Sequence, residues 1–107
     1  HALAFFKQIP FWEMEPKGEL IQSRSIAYCL AKENEVYAIY VETNANKIKI
    51  DLGNSNQKFQ IYWYNPRKGG ELQRGSITTI KAQGAVNLGN PPFENEKDWL
   101  LLLRKQH

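Results

Sequence analysis

Side chains that carry chemistry are thinly spread in this chain. Its two histidines, His1 and His107, stand at its two ends. No Ser-His or Cys-His relay is expected from that placement. Cys29 is the only cysteine, so no internal disulfide is possible. In the strand-like run "IAYCLA" it reads as a small buried residue rather than a nucleophile. The sequence has no Cys-x-x-Cys, no His-Glu-x-x-His and no Asp-rich calcium loop, so no metal is expected. "LGNSNQ" and "RKGGEL" hold glycine without the spacing of a phosphate loop, and no cofactor is expected either.

Carboxylates are commoner. A pair of them facing each other can hydrolyse a glycoside. The glutamates here fall mostly in turns or on polar faces, and nothing pairs two across a cleft. The expectation is a solvated surface and a chain that is not catalytic by itself. The net charge is +3, with bases scattered among almost as many acids. That balance is too weak and too dispersed for a nucleic-acid or anionic-membrane surface.

Aromatic residues are the remaining candidates. "FQIYWYNPRKGG", residues 59–70, puts four rings in six positions before a turn signal. As a strand it alternates: Phe59, Ile61 and Trp63 on one face, Gln60, Tyr62 and Tyr64 on the other. The first set belongs in a core. Tyr62 and Tyr64 would lie about 7 Å apart along the strand. There they either stack against successive sugars or pack on a neighbouring loop or the N-terminal segment. Tyr40 and Arg67 are weaker ligand candidates. Asn65 and Pro66 open a turn in which Gly69 or Gly70 supplies a positive φ. Arg67 then sits at its tip or folds back, and Asp98 is the carboxylate expected to hold it. The first reading of that pair is a structural clamp, the second a ligand contact.

The elements that must position these residues are short strands. One domain's worth of chain, 107 residues, can bury a core without disulfide or metal. "SIAYCLAK" (25–32) and "VYAIYVE" (36–42) read as a hairpin around "ENE". "KIKIDL" (47–52) alternates, with Ile48, Ile50 and Leu52 inward. "KFQIYWY" (58–64) and "GSITTIKA" (75–82) follow as strands. "QGAVNLGNPPFENEK" reads as mostly irregular, because Pro91 and Pro92 exclude a central strand. "DWLLLLRK" closes the chain as a buried strand. The N-terminal "ALAFFKQIPFWEMEP" reads as helical or irregular, with Pro10 stopping any helix. Even strand spacing with polar turns points to an all-β fold, an antiparallel β-sandwich, with a small barrel as the alternative.

The order of these pieces resembles a known family. "FF…P" leads to "YCLA…VYAIYV", "IKIDL", "FQIYWYNPRKGG" and finally "PP…DWLLLL". This is similar to the small β-sandwich, Ig-like or jelly-roll-like, labelled "putative collagen-binding domain of a collagenase". That domain follows the (β/α)₈ barrel of bacterial apiosidase-like, glycoside-hydrolase-like proteins. The resemblance covers nearly the whole chain. Its most specific parts are Trp63, Tyr64, Asn65, Pro66, Arg67 and Gly69, and Asp98 with Trp99. An acidic residue often stands where this chain has Asn65. The resemblance implies a single non-catalytic C-terminal accessory domain, residues 1–107, of a secreted or periplasmic protein. It implies that residues 1–16 form the junction with the chain's own barrel, through Phe5, Phe6, Phe11 and Trp12. The role would be to brace or target that barrel, or to bind polysaccharide or an extracellular matrix protein.

Overall fold

The computed structural model describes residues 5, 7, 9–22, 27–42, 48–94 and 96–106. Two antiparallel sheets form it, and the expected sandwich is the architecture observed. The larger sheet has six strands in the order β1-β2-β3-β8-β5-β6. They are β1 (Glu15–Pro16), β2 (Ala27–Lys32), β3 (Val36–Val41), β8 (Trp99–Lys105), β5 (Lys58–Tyr64) and β6 (Thr79–Lys81). The smaller sheet pairs β4 (Lys49–Asp51) with β7 (Ala85–Asn87). Among the described residues no helix is long and apolar enough to cross a membrane.

The hairpin of β2 and β3 turns at Asn34, whose φ of 66° is the left-handed region that asparagine tolerates. The amide of Glu35 donates to the carbonyl of Lys32 and closes the turn. This fixes the register: Lys32 opposite Val36, Leu30 opposite Ala38, Tyr28 opposite Tyr40. The last strand, β8, lies in the middle of the large sheet. It pairs with β3 on one side and β5 on the other, so its apolar run is buried on both faces.

Alternation sends Cys29, Ile39, Ile61, Trp63, Trp99 and Leu101 inward, where they meet Ile48, Ile50 and Leu88 from the smaller sheet side. Each such aliphatic side chain contributes about 2 kcal/mol by leaving water. Trp63 and Trp99 meet edge to face, 5.9 Å between centroids, a favoured geometry for two ring quadrupoles. Gly75 passes so close to the Trp63 ring and the Asn90 carbonyl that a Cβ would collide with both.

Two expectations need correction, and a third holds with one exception. "GSITTIKA" contributes only Thr79–Lys81 to a strand, pairing with Lys58–Gln60. The stretch expected to be mostly irregular is so among its described residues, apart from β7, held against β4 by Ile50 opposite Val86. β1 was not expected at all. Its two residues, one of them Pro16, sit on the edge of the sheet, where a missing N–H does no harm. Phe6, Leu3, Ser25, Ile26, Lys47 and the polar turn at 43–46 lie outside the described residues.

Candidate functional site

The candidate tyrosines, Tyr40, Tyr62 and Tyr64, gather on the outer face of the large sheet, away from the smaller one. One row across the strands reads Tyr28, Tyr40, Leu100, Tyr64, and the next Leu30, Ala38, Leu102, Tyr62. Phe5, Ile9 and Met14 pack on this face and build a second apolar cluster with Tyr64, Leu100 and Leu102.

That cover decides the fate of the two tyrosines of β5. Tyr64 is only 1% exposed, with the Phe5 ring 5.6 Å away at 47°. It is a packing ring, not a half-wet one. Tyr62 is partly exposed, but guanidiniums flank it, Arg74 at 4.5 Å and Arg104 at 6.0 Å from the ring centroid. Arg74 is held there by Gln60 Oε1, at 2.5 Å, and the Thr78 carbonyl, at 2.8 Å. The two β5 rings therefore do not form an open platform.

The turn after β5 has the expected chemistry. Asn65 is buried, and its Oδ1 accepts from the amides of Arg67 (2.9 Å) and Lys68 (3.2 Å). Its carbonyl accepts from Gly69, which has a φ of 71°. The turn folds Arg67 back. Its Nη1 donates to Asp98 Oδ1 at 2.6 Å and also to the Asp98 main-chain carbonyl. The guanidinium lies 5.4 Å from the centre of the Trp99 ring. Tyr40 Oη donates to Asp98 Oδ2 at 3.0 Å.

Asp98 is thus gripped from two sides. Burial alone would raise its carboxyl, but hydrogen bonds from Arg67 and Tyr40, with the guanidinium charge, hold it below its ordinary 3.8. Tyr40 responds oppositely. Partial burial and its bond to Asp98 push its hydroxyl above the usual range. The Cys29 thiol is pushed up to about 12, mainly by burial and then by Glu19, so it is a poor nucleophile at neutral pH.

Two exposed aromatic features remain. Phe11 and Trp12 are 51% and 74% exposed, edge to face at 5.6 Å. They sit in a 3₁₀ turn, Phe11–Glu13, just before β1. Phe5, grouped with them as a junction residue, is instead fully buried in this chain's own outer cluster. The second feature is Tyr28, 60% exposed and nearly parallel to Tyr40, at 6.3 Å and 18°. Sequence reasoning passed over Tyr28. The signal was present: a three-residue turn between Lys32 and Val36 puts Tyr28 directly opposite Tyr40.

No curated protein matches the chain. Among solved structures, one titled "Glycoside hydrolase" is similar at 17% identity and a TM-score of 0.73. A glycoside hydrolase family 5 from Bacteroides vulgatus ATCC 8482 is similar at 17% identity and a TM-score of 0.71. Each likeness covers 96% of this chain and 23% of the other, so this chain spans less than a quarter of their length. At that identity the shared property is the fold. The family model described as "Putative collagen-binding domain of a collagenase" matches residues 16–104. That range takes in the Trp63–Gly69 turn and the Arg67–Asp98 clamp, and leaves Phe5, Phe11 and Trp12 outside. Since it spans the six-stranded sheet but for Glu15 and Lys105, the chain belongs to that family.

Proposed function

We propose that this chain is a non-catalytic accessory domain of a longer glycoside-hydrolase-like protein, bracing its catalytic barrel through Phe11 and Trp12. The observation that carries this is the asymmetry of coverage: the fold accounts for 96% of this chain and 23% of two glycoside hydrolase structures. The exposed aromatic pair supports the brace. Two large rings held together in water at a chain segment outside the family's matched range are a docking feature. Such a protein would act outside the cytoplasm, in the secreted or periplasmic space. Arg67 serves the fold in this reading, because Asp98 and Trp99 already occupy it. Targeting to a polysaccharide is a second reading, favoured by the exposed Tyr28 beside Tyr40.

Calorimetry of the longer protein tests the brace. We expect barrel and domain to unfold in one coupled transition, which the Phe11→Ala/Trp12→Ala variant splits in two. Independent transitions in the unaltered protein, unmoved by that variant, would remove the brace.

A further inference from the structure

Among the described residues the cover on the outer face is incomplete. Phe5, Ile9 and Met14 close it toward β5 and β8, on Tyr64, Leu100 and Leu102. Over β2 and β3 a groove of about 320 Å³ stays open, lined by Pro16, Tyr28, Leu30, Ala38, Tyr40 and Leu100. We propose that this groove binds a neutral glycan, with Tyr28 as the main stacking ring and Tyr40 as the second. The proposal deepens the accessory-domain reading and rests on it.

The chemistry of the lining selects the ligand. A sugar ring has a flat face of C–H bonds and an edge of hydroxyls. The face needs an apolar, aromatic surface, and the edge can stay in water at an open groove. Tyr28, 60% exposed and stacked on Tyr40 at 6.3 Å and 18° across adjacent strands, offers that surface, and Tyr40 backs it. Pro16, Leu30, Ala38 and Leu100 extend it. The volume lies at the low end of the range for small-molecule sites. Among the described residues no lining side chain is charged. The nearby acid, Asp98, is already neutralised by Arg67 and bonded to the Tyr40 hydroxyl. Against these described residues a charged polymer gains nothing, and a neutral one meets no unpaired charge.

A proline-rich peptide is the rival for any groove with aromatic walls. Its polyproline helix repeats about every 9 Å, three residues at 3.1 Å each. Rings 6.3 Å apart sit within one such repeat, so they cannot grip successive turns of that helix. Among the described residues, β1 pairs only with Leu30 and Ala31 of β2, and Tyr28 stands beyond it.

The test is affinity electrophoresis of this chain in native gels containing xyloglucan, galactomannan or, as an acidic control, polygalacturonate. Fluorescence titration with a (Gly-Pro-Pro)₁₀ peptide runs alongside. We expect a neutral polysaccharide to retard the chain, Tyr28→Ala to weaken this about tenfold or more, and Trp12→Ala to leave it unchanged. Tyr28→Phe should retain most of it. The exposure of Tyr28 makes loss of folding a minor risk, and near-ultraviolet circular dichroism checks it. No retardation by either neutral polymer overturns the site. So does retardation that survives Tyr28→Ala, or binding confined to polygalacturonate or the peptide. Those failures leave the coupled melting of barrel and domain untouched, so the two readings fail separately.

Discussion

Two faces of one sheet are built from the same strands and from similar residue types, and they end differently. The inner face carries Trp63, Trp99, Phe59 and Ile61 and is sealed by the smaller sheet. The outer face carries Tyr28, Tyr40, Tyr62 and Tyr64 and is covered only in part. On the inner side every ring is spent on packing. On the outer side the outcome varies ring by ring: Tyr64 lies under Phe5, Tyr62 between two arginines, and Tyr28 in water. Tyrosine suits the outer face because its hydroxyl can be satisfied wherever the cover happens to stop. Aromatic density in a strand therefore does not mark a binding site. What marks one is a ring that the rest of the chain leaves uncovered.

This contrast predicts an order of sensitivities. Trp63→Ala strikes the sealed face. It leaves a cavity between two sheets that cannot close around it, and should cost about 5 kcal/mol, read by urea denaturation. Phe5→Ala strikes the cover on the outer face. It should cost less, about 3 kcal/mol, because the void lies beside a surface segment that can settle. Its second effect is more telling. The Tyr64 ring, shielded in the unaltered protein, should become reactive to tyrosine-specific reagents, counted above the exposed Tyr28. If Phe5→Ala costs as much as Trp63→Ala and leaves Tyr64 protected, the two faces are equivalent and the contrast is wrong.

The clamp joins the rims of the faces and comes next. Arg67→Ala removes a charged hydrogen bond to Asp98 and the contact over Trp99, and should cost about 2 kcal/mol. Its sign with pH is fixed. The native Asp98 carboxyl sits below its ordinary 3.8, so it binds a proton less readily than in the unfolded chain. The clamp's contribution is whole above 3.8 and drains away as the pH falls through the lower native value. Thermal unfolding between pH 5 and pH 2 should show this acid-side loss, and Asp98→Asn should flatten it.

The inner face was legible because alternation in "KIKIDL" and "KFQIYWY" separates apolar from polar positions. The clamp was legible because Asn-Pro-Arg with two glycines can only turn sharply, and Asp98 opens the closing strand. Other features depend on contacts far apart in sequence. That Tyr64 is buried follows from where Phe5 lands, 59 residues away in the chain, as the row and cover place them. β7 is three residues between Gly84 and Gly89, too short for alternation to register. "WLLLL" betrayed no face because both of its faces are covered, a consequence of its central place between β3 and β5. Tyr28 is the instructive miss. Its partner was recoverable from the hairpin register, while its exposure depended on how far the N-terminal cover reaches.

The smallest expected effect on stability belongs to the residues given the largest functional weight. Trp12 and Tyr28 are mostly in water, and the clusters that hold the fold do not include them. Trp12→Ala and Tyr28→Ala should each shift stability by no more than about 0.5 kcal/mol. The same two changes should act on different partners, Trp12 on the barrel and Tyr28 on the glycan. A chain that unfolds normally in both variants, yet loses coupled melting in one and polysaccharide retardation in the other, has two separate working surfaces on one outer side. If Trp12→Ala destabilises this chain by 2 kcal/mol or more, the Phe11–Trp12 pair is part of its own cover, and the exposed side shrinks to the Tyr28 groove.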